Sequence, residues 1–107
     1  METIALTEAV YYILLSLDQP LHGYGIMQNV DQLSRGRVRL AAGTLYGALN
    51  TLQAKGWIRA LGNEASSRKK EYVITELGRM MVLAELDRLH ELVNNGDQLT
   101  ERWRQHA

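Results

Sequence analysis

Three histidines, at positions 22, 90 and 106, are where acid–base or metal chemistry would have to begin in this chain of 107 residues. None has a nucleophile or a carboxylate relay at motif spacing, and neither a His-x-x-x-His pair nor a glycine-rich phosphate loop occurs. Cysteine is absent, which excludes a disulfide framework, a thiolate metal site and a thiol nucleophile. His22 reads most simply as a helix-start residue and His90 as a position flanking a helix seam. No catalytic residue, metal site or cofactor site is expected, and the chain reads as a non-enzyme.

A different chemistry is carried by "LAAGTLYGALNTLQAKGWI", Leu40 to Ile58. Leu45, Leu49 and Leu52, spaced 4 and 3, turn one face of a helix inward. Thr44, Tyr46, Gly47 and Asn50 then lie outside that face. Hydroxyl and amide groups in such an array can bond base edges or phosphates, and Gly43 and Gly47 let a backbone come close. Arg68, Lys69 and Lys70 add cations a short way downstream.

Net charge is zero, yet the charge is not evenly spread. Between Ser34 and Lys70 stand eight cations (Arg35, Arg37, Arg39, Lys55, Arg59, Arg68, Lys69, Lys70) and one acid, Glu64, an excess of seven that the rest of the chain balances. Such blocks suit a domain with one side facing a polyanion. The length allows one domain with a modest core. No charge-free apolar run approaches the roughly 18 residues a membrane span needs, and the start lacks the marks of a signal peptide, so a soluble cytoplasmic protein is expected.

The elements that must position these residues follow from periodicity. "IALTEAVYYILLSL" places Leu6, Val10, Ile13, Leu14 and Leu17 at helical spacing, with Tyr11, Tyr12 and Leu15 on other sides. A second helix, "HGYGIMQNVDQLS", has Ile26, Val30 and Leu33 as its buried stripe. A short β-prone stretch, Val38 to Leu40, precedes the third helix, which Gly56 terminates. "WIRAL" and "EYVIT" predict an antiparallel hairpin whose tip is "GNEASSRKK". Thr75 caps a last long helix carrying Val82, Leu86, Leu89 and Val93. Asn94, Asn95 and Gly96 offer a stop, followed by a short tail with Leu99 and Trp103.

Three helices closed by a hairpin predict a mainly α winged helix-turn-helix whose third helix offers its polar face to a DNA major groove. Residues 1–75 are expected to form the DNA-binding unit and residues 76–107 a C-terminal dimerisation helix and tail, in one compact whole. Tyr24 either packs its ring on the core or sends its hydroxyl to a phosphate, and Arg39 is a further backbone candidate. Tyr46 is favoured as a DNA contact over a partly buried helix residue. Surplus apolar surface on the first and last helices predicts a homodimer seam of Leu6, Val10, Ile13, Val82, Leu86, Leu89 and Val93. Two-fold symmetry then implies an inverted-repeat operator. Tyr11, Tyr12, Leu15, Met81, Leu89 and Trp103 are candidates to line an effector pocket at that seam, and Trp57 is expected in the core. The competing function is a winged helix used for protein contact without DNA, which would more naturally show apolar side chains on the outer helix face.

At these residues the sequence also resembles the PadR family of bacterial transcription regulators. "HGYGI" after a Pro-Leu turn, "GTLYGALNTLQAKGWI" and "RKKEYVITELG" match that family's three signature stretches in order and spacing, from about Leu6 to Val93. The resemblance implies the short subfamily, in which one C-terminal helix mediates dimerisation. It also implies repression of genes for detoxification, efflux or phenolic-acid breakdown, with release from DNA when a small, often aromatic molecule binds. Gly47 stands where many relatives carry proline or a polar residue, and residues 94–107 carry no family motif.

Overall fold

A computed structural model describes residues 5–62 and 70–105. Four helices and three short strands follow in the order α1 (Glu8–Ser16), β1 (Leu21–His22), α2 (Gly23–Leu33), α3 (Ala42–Ala54), β2 (Ile58–Leu61), β3 (Glu71–Ile74) and α4 (Glu76–Gln105). The strands form one antiparallel sheet in the order β1-β3-β2. The fold is the expected mainly α winged helix with a long C-terminal helix.

Helix α1 starts where Thr7 Oγ1 accepts the Val10 amide, with Glu8 in the first turn where it suits the helix dipole. It buries Ile13 and Leu14, and Leu17 just beyond, against Ile26 and Val30 of α2 and Leu45, Leu49 and Leu52 of α3. Burying each of these side chains is worth about 1.5–3 kcal/mol relative to leaving it exposed. Helix α3 ends in a Schellman turn. Gly56 has φ 77°, its amide reaches Gln53 O, and the Trp57 amide reaches Leu52 O. That turn delivers Trp57 into the core and starts β2, whose Ile58 pairs with Ile74 and Ala60 with Tyr72 of β3. Thr75 joins hairpin to helix: its hydroxyl donates to Gly56 O at 2.7 Å and accepts the Gly78 amide at 3.1 Å. Gly78 must be glycine, because a methyl group there would collide with the Trp57 carbonyl oxygen.

Three local expectations are corrected. The strand that joins the hairpin is Leu21–His22 and not Val38–Leu40. Buried Ser34 occupies the latter stretch: its Oγ accepts the Val38 amide at 2.9 Å and lies 3.3 Å from Val38 O, taking both groups out of any ladder. Leu33 is 46% exposed, because the buried stripe of α2 runs in steps of four through Ile26, Val30 and Ser34. Helix α4 does not stop at Asn94–Gly96 but runs 30 residues to Gln105. One interior glycine costs only about 1 kcal/mol, Thr100 Oγ1 donates to Gly96 O at 2.7 Å, and Arg102 and Arg104 suit the dipole of the last turn.

Candidate nucleic-acid interface

The inner face of α3 is filled by three leucines, which fixes what its outer face can be. Gly43, Thr44, Gly47 and Asn50 are all exposed there, and nothing lies within 4 Å of where a Cβ would stand at either glycine. Thr51 is turned back on the helix, donating to Gly47 O at 3.1 Å. The Thr44 hydroxyl and the Asn50 amide belong to exposed residues of this stretch.

Tyr46 stands differently. Its side chain is half-buried against the core, and its hydroxyl lies over Gly23 in the first turn of α2. It also sits near Tyr72, whose hydroxyl is pushed above its ordinary pKa by burial and, to a smaller degree, by Tyr46. Tyr46 therefore ties α3, α2 and β3 together, and only part of its ring is left at the surface. Tyr24 resolves the other way: it is 69% exposed and does not pack on the core, its hydroxyl accepting from Gln28 Nε2 at 3.3 Å.

The cations are less uniform than their sequence block suggests. Arg37 bonds Glu8 at the start of α1, and Arg39 Nε lies 3.8 Å from Asp31 Oδ1 while staying largely exposed. Both surface pairs are weak constraints, on the order of 0–1 kcal/mol. Lys70 immediately precedes β3, and its carbonyl lies 3.4 Å from His22 Nδ1, a hydrogen bond in the tautomer protonated at that nitrogen. Arg68 and Lys69 lie outside the described residues.

Of the residues expected at a dimer seam, Ile13 and Val82 are spent inside the protomer core. Leu6, Val10, Leu86 and Leu89 are half-buried, and Val93 is exposed. The six expected effector contacts do not converge. Tyr11, Tyr12 and Leu89 line a hollow of about 320 Å³ together with Leu6, Glu8, Glu85 and Arg88, the two tyrosine rings meeting edge to face at 6.1 Å. Leu15 borders a different hollow with Leu83 and Arg79, and Met81 packs on the core. Trp103 stands on α4, 14 residues past Leu89 and so about 21 Å along the axis, and is 67% exposed.

The polar centre of the first hollow escaped sequence reasoning. Glu85 is 2% exposed, bonds Arg88 through both oxygens at 2.7 and 2.8 Å, and accepts the Leu6 amide at 3.2 Å. The Arg88 guanidinium holds its carboxyl below the usual glutamate range; burial opposes this and the Leu6 amide assists it. The i, i+3 spacing of Glu85 and Arg88 was visible, but their burial was not. Among the described residues, no helix is long and apolar enough to cross a membrane.

Known proteins share this fold. A family model described as the transcriptional regulator PadR-like family matches residues 12–84. A PadR family transcription regulator from Clostridium difficile superposes with a TM-score of 0.70 at 25% identity, over 87% of this chain and 98% of that one. A second, from Eggerthella lenta, gives 0.69 at 24% identity, over 86% and 80%. An uncharacterised 37.1 kDa protein of a Streptomyces fradiae transposon is 39% identical over 79 residues, 73% of this chain. The chain spans only 22% of the length of that relative.

Proposed function

The chain belongs to the PadR-like family of transcriptional regulators, and on that premise we propose that it is a sequence-specific repressor. It binds double-stranded DNA as a homodimer at an inverted-repeat operator in the cytoplasm and is released by a small aromatic effector. The observation that carries this reading is the outer face of α3, polar and unobstructed between Gly43 and Asn50, on a helix whose inner face is wholly used by the core. A module built for protein contact would show apolar side chains there.

Within this reading Thr44 and Asn50 reach base edges, while Gly43 and Gly47 admit the backbone to the groove wall. The exposed part of Tyr46 flanks them. Tyr24, Arg39, Arg68, Lys69 and Lys70 serve phosphates and set position without reading sequence. Residues 1–75 bind DNA, and residues 76–107 hold the dimer as in the short subfamily, through the surface left on Leu86, Leu89 and Val93 together with Leu6 and Val10 of the N-terminal segment. The effector enters the hollow at Tyr11, Tyr12 and Leu89. It must bind the DNA-free arrangement more tightly than the DNA-bound one, since only differential affinity can shift the equilibrium.

Selection of bound DNA from random sequence tests the proposal. Recovered sites should contain inverted half-sites with centres about 10 base pairs apart, and binding should weaken as salt rises. Failure to retain any duplex at low salt would remove the DNA reading altogether.

A further inference from the structure

We infer that Glu8 and Asp31 are built-in counterions, which hold Arg37 and Arg39 in the free protein and give them up to phosphates when DNA binds. The inference rests on the DNA reading proposed above and names what limits the strength of that binding.

The connection between α2 and α3 carries the argument. From Ser34 to Ala41 it holds three arginines, at positions 35, 37 and 39, and no acid. Arg39 stands just ahead of Ala42, where α3 begins. A recognition helix meets base edges with its N-terminal residues, so cations ahead of that end are placed beside phosphates. Hydrogen bonds within the connection fix its backbone. The Ser34 hydroxyl accepts the Val38 amide at 2.9 Å, the Gly36 amide donates to Asp31 O at 2.8 Å, and the Arg37 amide donates to Ser34 O at 3.2 Å. Each arginine is thus presented from a set point, and only its side chain is left to change partners.

Two of the three meet a carboxylate from outside the basic block. Arg37 Nη2 bonds Glu8 Oε2 in the first turn of α1. Arg39 Nε lies 3.8 Å from Asp31 Oδ1, near the end of α2. Gly36 makes room for the second pair. Its φ is 79°, and a methyl group there would stand 3.3 Å from Arg39 Nη2 and 3.6 Å from Asp31 Oδ1.

Solvent decides what these pairs can do. The side chains of Arg37 and Arg39 are 69% and 77% exposed, and those of Glu8 and Asp31 are 44% and 47% exposed. Pairs so exposed hold weakly, so they contribute little to the fold and exchange readily. A phosphate offers the guanidinium a bidentate, charge-assisted partner, and takes the arginine from its carboxylate. Every sequence meets the same opposition from the resident acid, because phosphates carry no sequence information. The acids therefore act as a brake on affinity for operator and random duplex alike.

Anisotropy titrations of a mixed-sequence duplex at low salt test the brake. Glu8→Gln should tighten binding by about two- to fivefold for each protomer engaged, the range that a weak surface pair supplies. Asp31→Asn should do the same. A gain of binding is a result that misfolding does not mimic. Plain removal of a repelling negative charge would also tighten binding, and arginine variants separate the two causes. In an Arg37→Ala chain, most of the gain from Glu8→Gln should disappear, and in an Arg39→Ala chain most of the gain from Asp31→Asn. Equal gains with and without the arginine would overturn the inference and reduce the acids to general repulsion. No gain from either acid variant would overturn it as well and leave DNA binding standing. An unmodified chain that retains no duplex at low salt would remove the DNA reading and this inference with it.

Discussion

The hydroxyl of Tyr46 lies over Gly23 so closely that a methyl group at Gly23 would occupy the same space. One residue on the third helix thus determines what the second helix can begin with. Gly23→Ala should lower stability by about 1–3 kcal/mol, the usual cost of overfilling a packed contact. In a Tyr46→Ala background the same substitution should cost far less, a coupling that a double-mutant cycle by denaturant unfolding would read. Additive losses would mean that the two residues do not share the contact.

The outer face of α3 and the wing should fail in different ways. Asn50→Ala is expected to cost about 1–3 kcal/mol on the operator and little on random duplex, as removal of a hydrogen bond to a base edge does. Lys70→Ala should weaken both DNAs alike and lower the salt slope by about 1 for each phosphate left without its cation. Fluorescence anisotropy titrations at several salt concentrations separate the two. Equal losses on both DNAs for Asn50→Ala would reduce that face to a grip on backbone.

Acid should loosen the junction of α1 and α4. The folded-state pKa of Glu85 is lowered, chiefly by Arg88. Its stabilising contribution is therefore complete above the ordinary glutamate value of about 4.3 and drains away as pH falls through and below it. Glu85→Gln should flatten the acid limb of a plot of Tm against pH and lower Tm at pH 7. An unchanged acid limb would show that other carboxylates dominate it.

Arg35 has φ 54°, in the left-handed region that side chains adopt at a cost, and it is exposed. Arg35→Gly should stabilise the chain by about 0.5–1 kcal/mol, the relief of strain being partly offset by the freer unfolded glycine. Thermal unfolding would show it as a raised Tm.

Much of this architecture is legible in the sequence itself. Leu45, Leu49 and Leu52 announce a helix with one inner face, Gly56 its end, and Thr75 the start of the next, because capping and periodicity are local physics. What escaped was non-local. A two-residue strand at Leu21–His22 exists only because β3 offers it an edge, and nothing in its own composition says so. The stop expected at Asn94–Gly96 weighed local breakers against a helix long enough to absorb them. The burial of Glu85 has no local signal, because burial of a carboxylate depends on what Arg88 and the Leu6 amide supply. At the interface, Thr44 and Asn50 were readable as outward-facing from the leucines behind them. The inward lean of Tyr46 depended on a gap at Gly23, one helix away.

The 30 residues of α4 form a single rod about 45 Å long, rooted at Thr75 and Gly78 against the hairpin. A rod of that length is a lever. A rotation of about 10° at its root moves its far end by about 8 Å, whereas half-sites on DNA recur every ~34 Å and tolerate little error in spacing. In a dimer held by such arms, a disturbance of an ångström or two in the hollow beside α1 reaches the two recognition helices magnified several-fold.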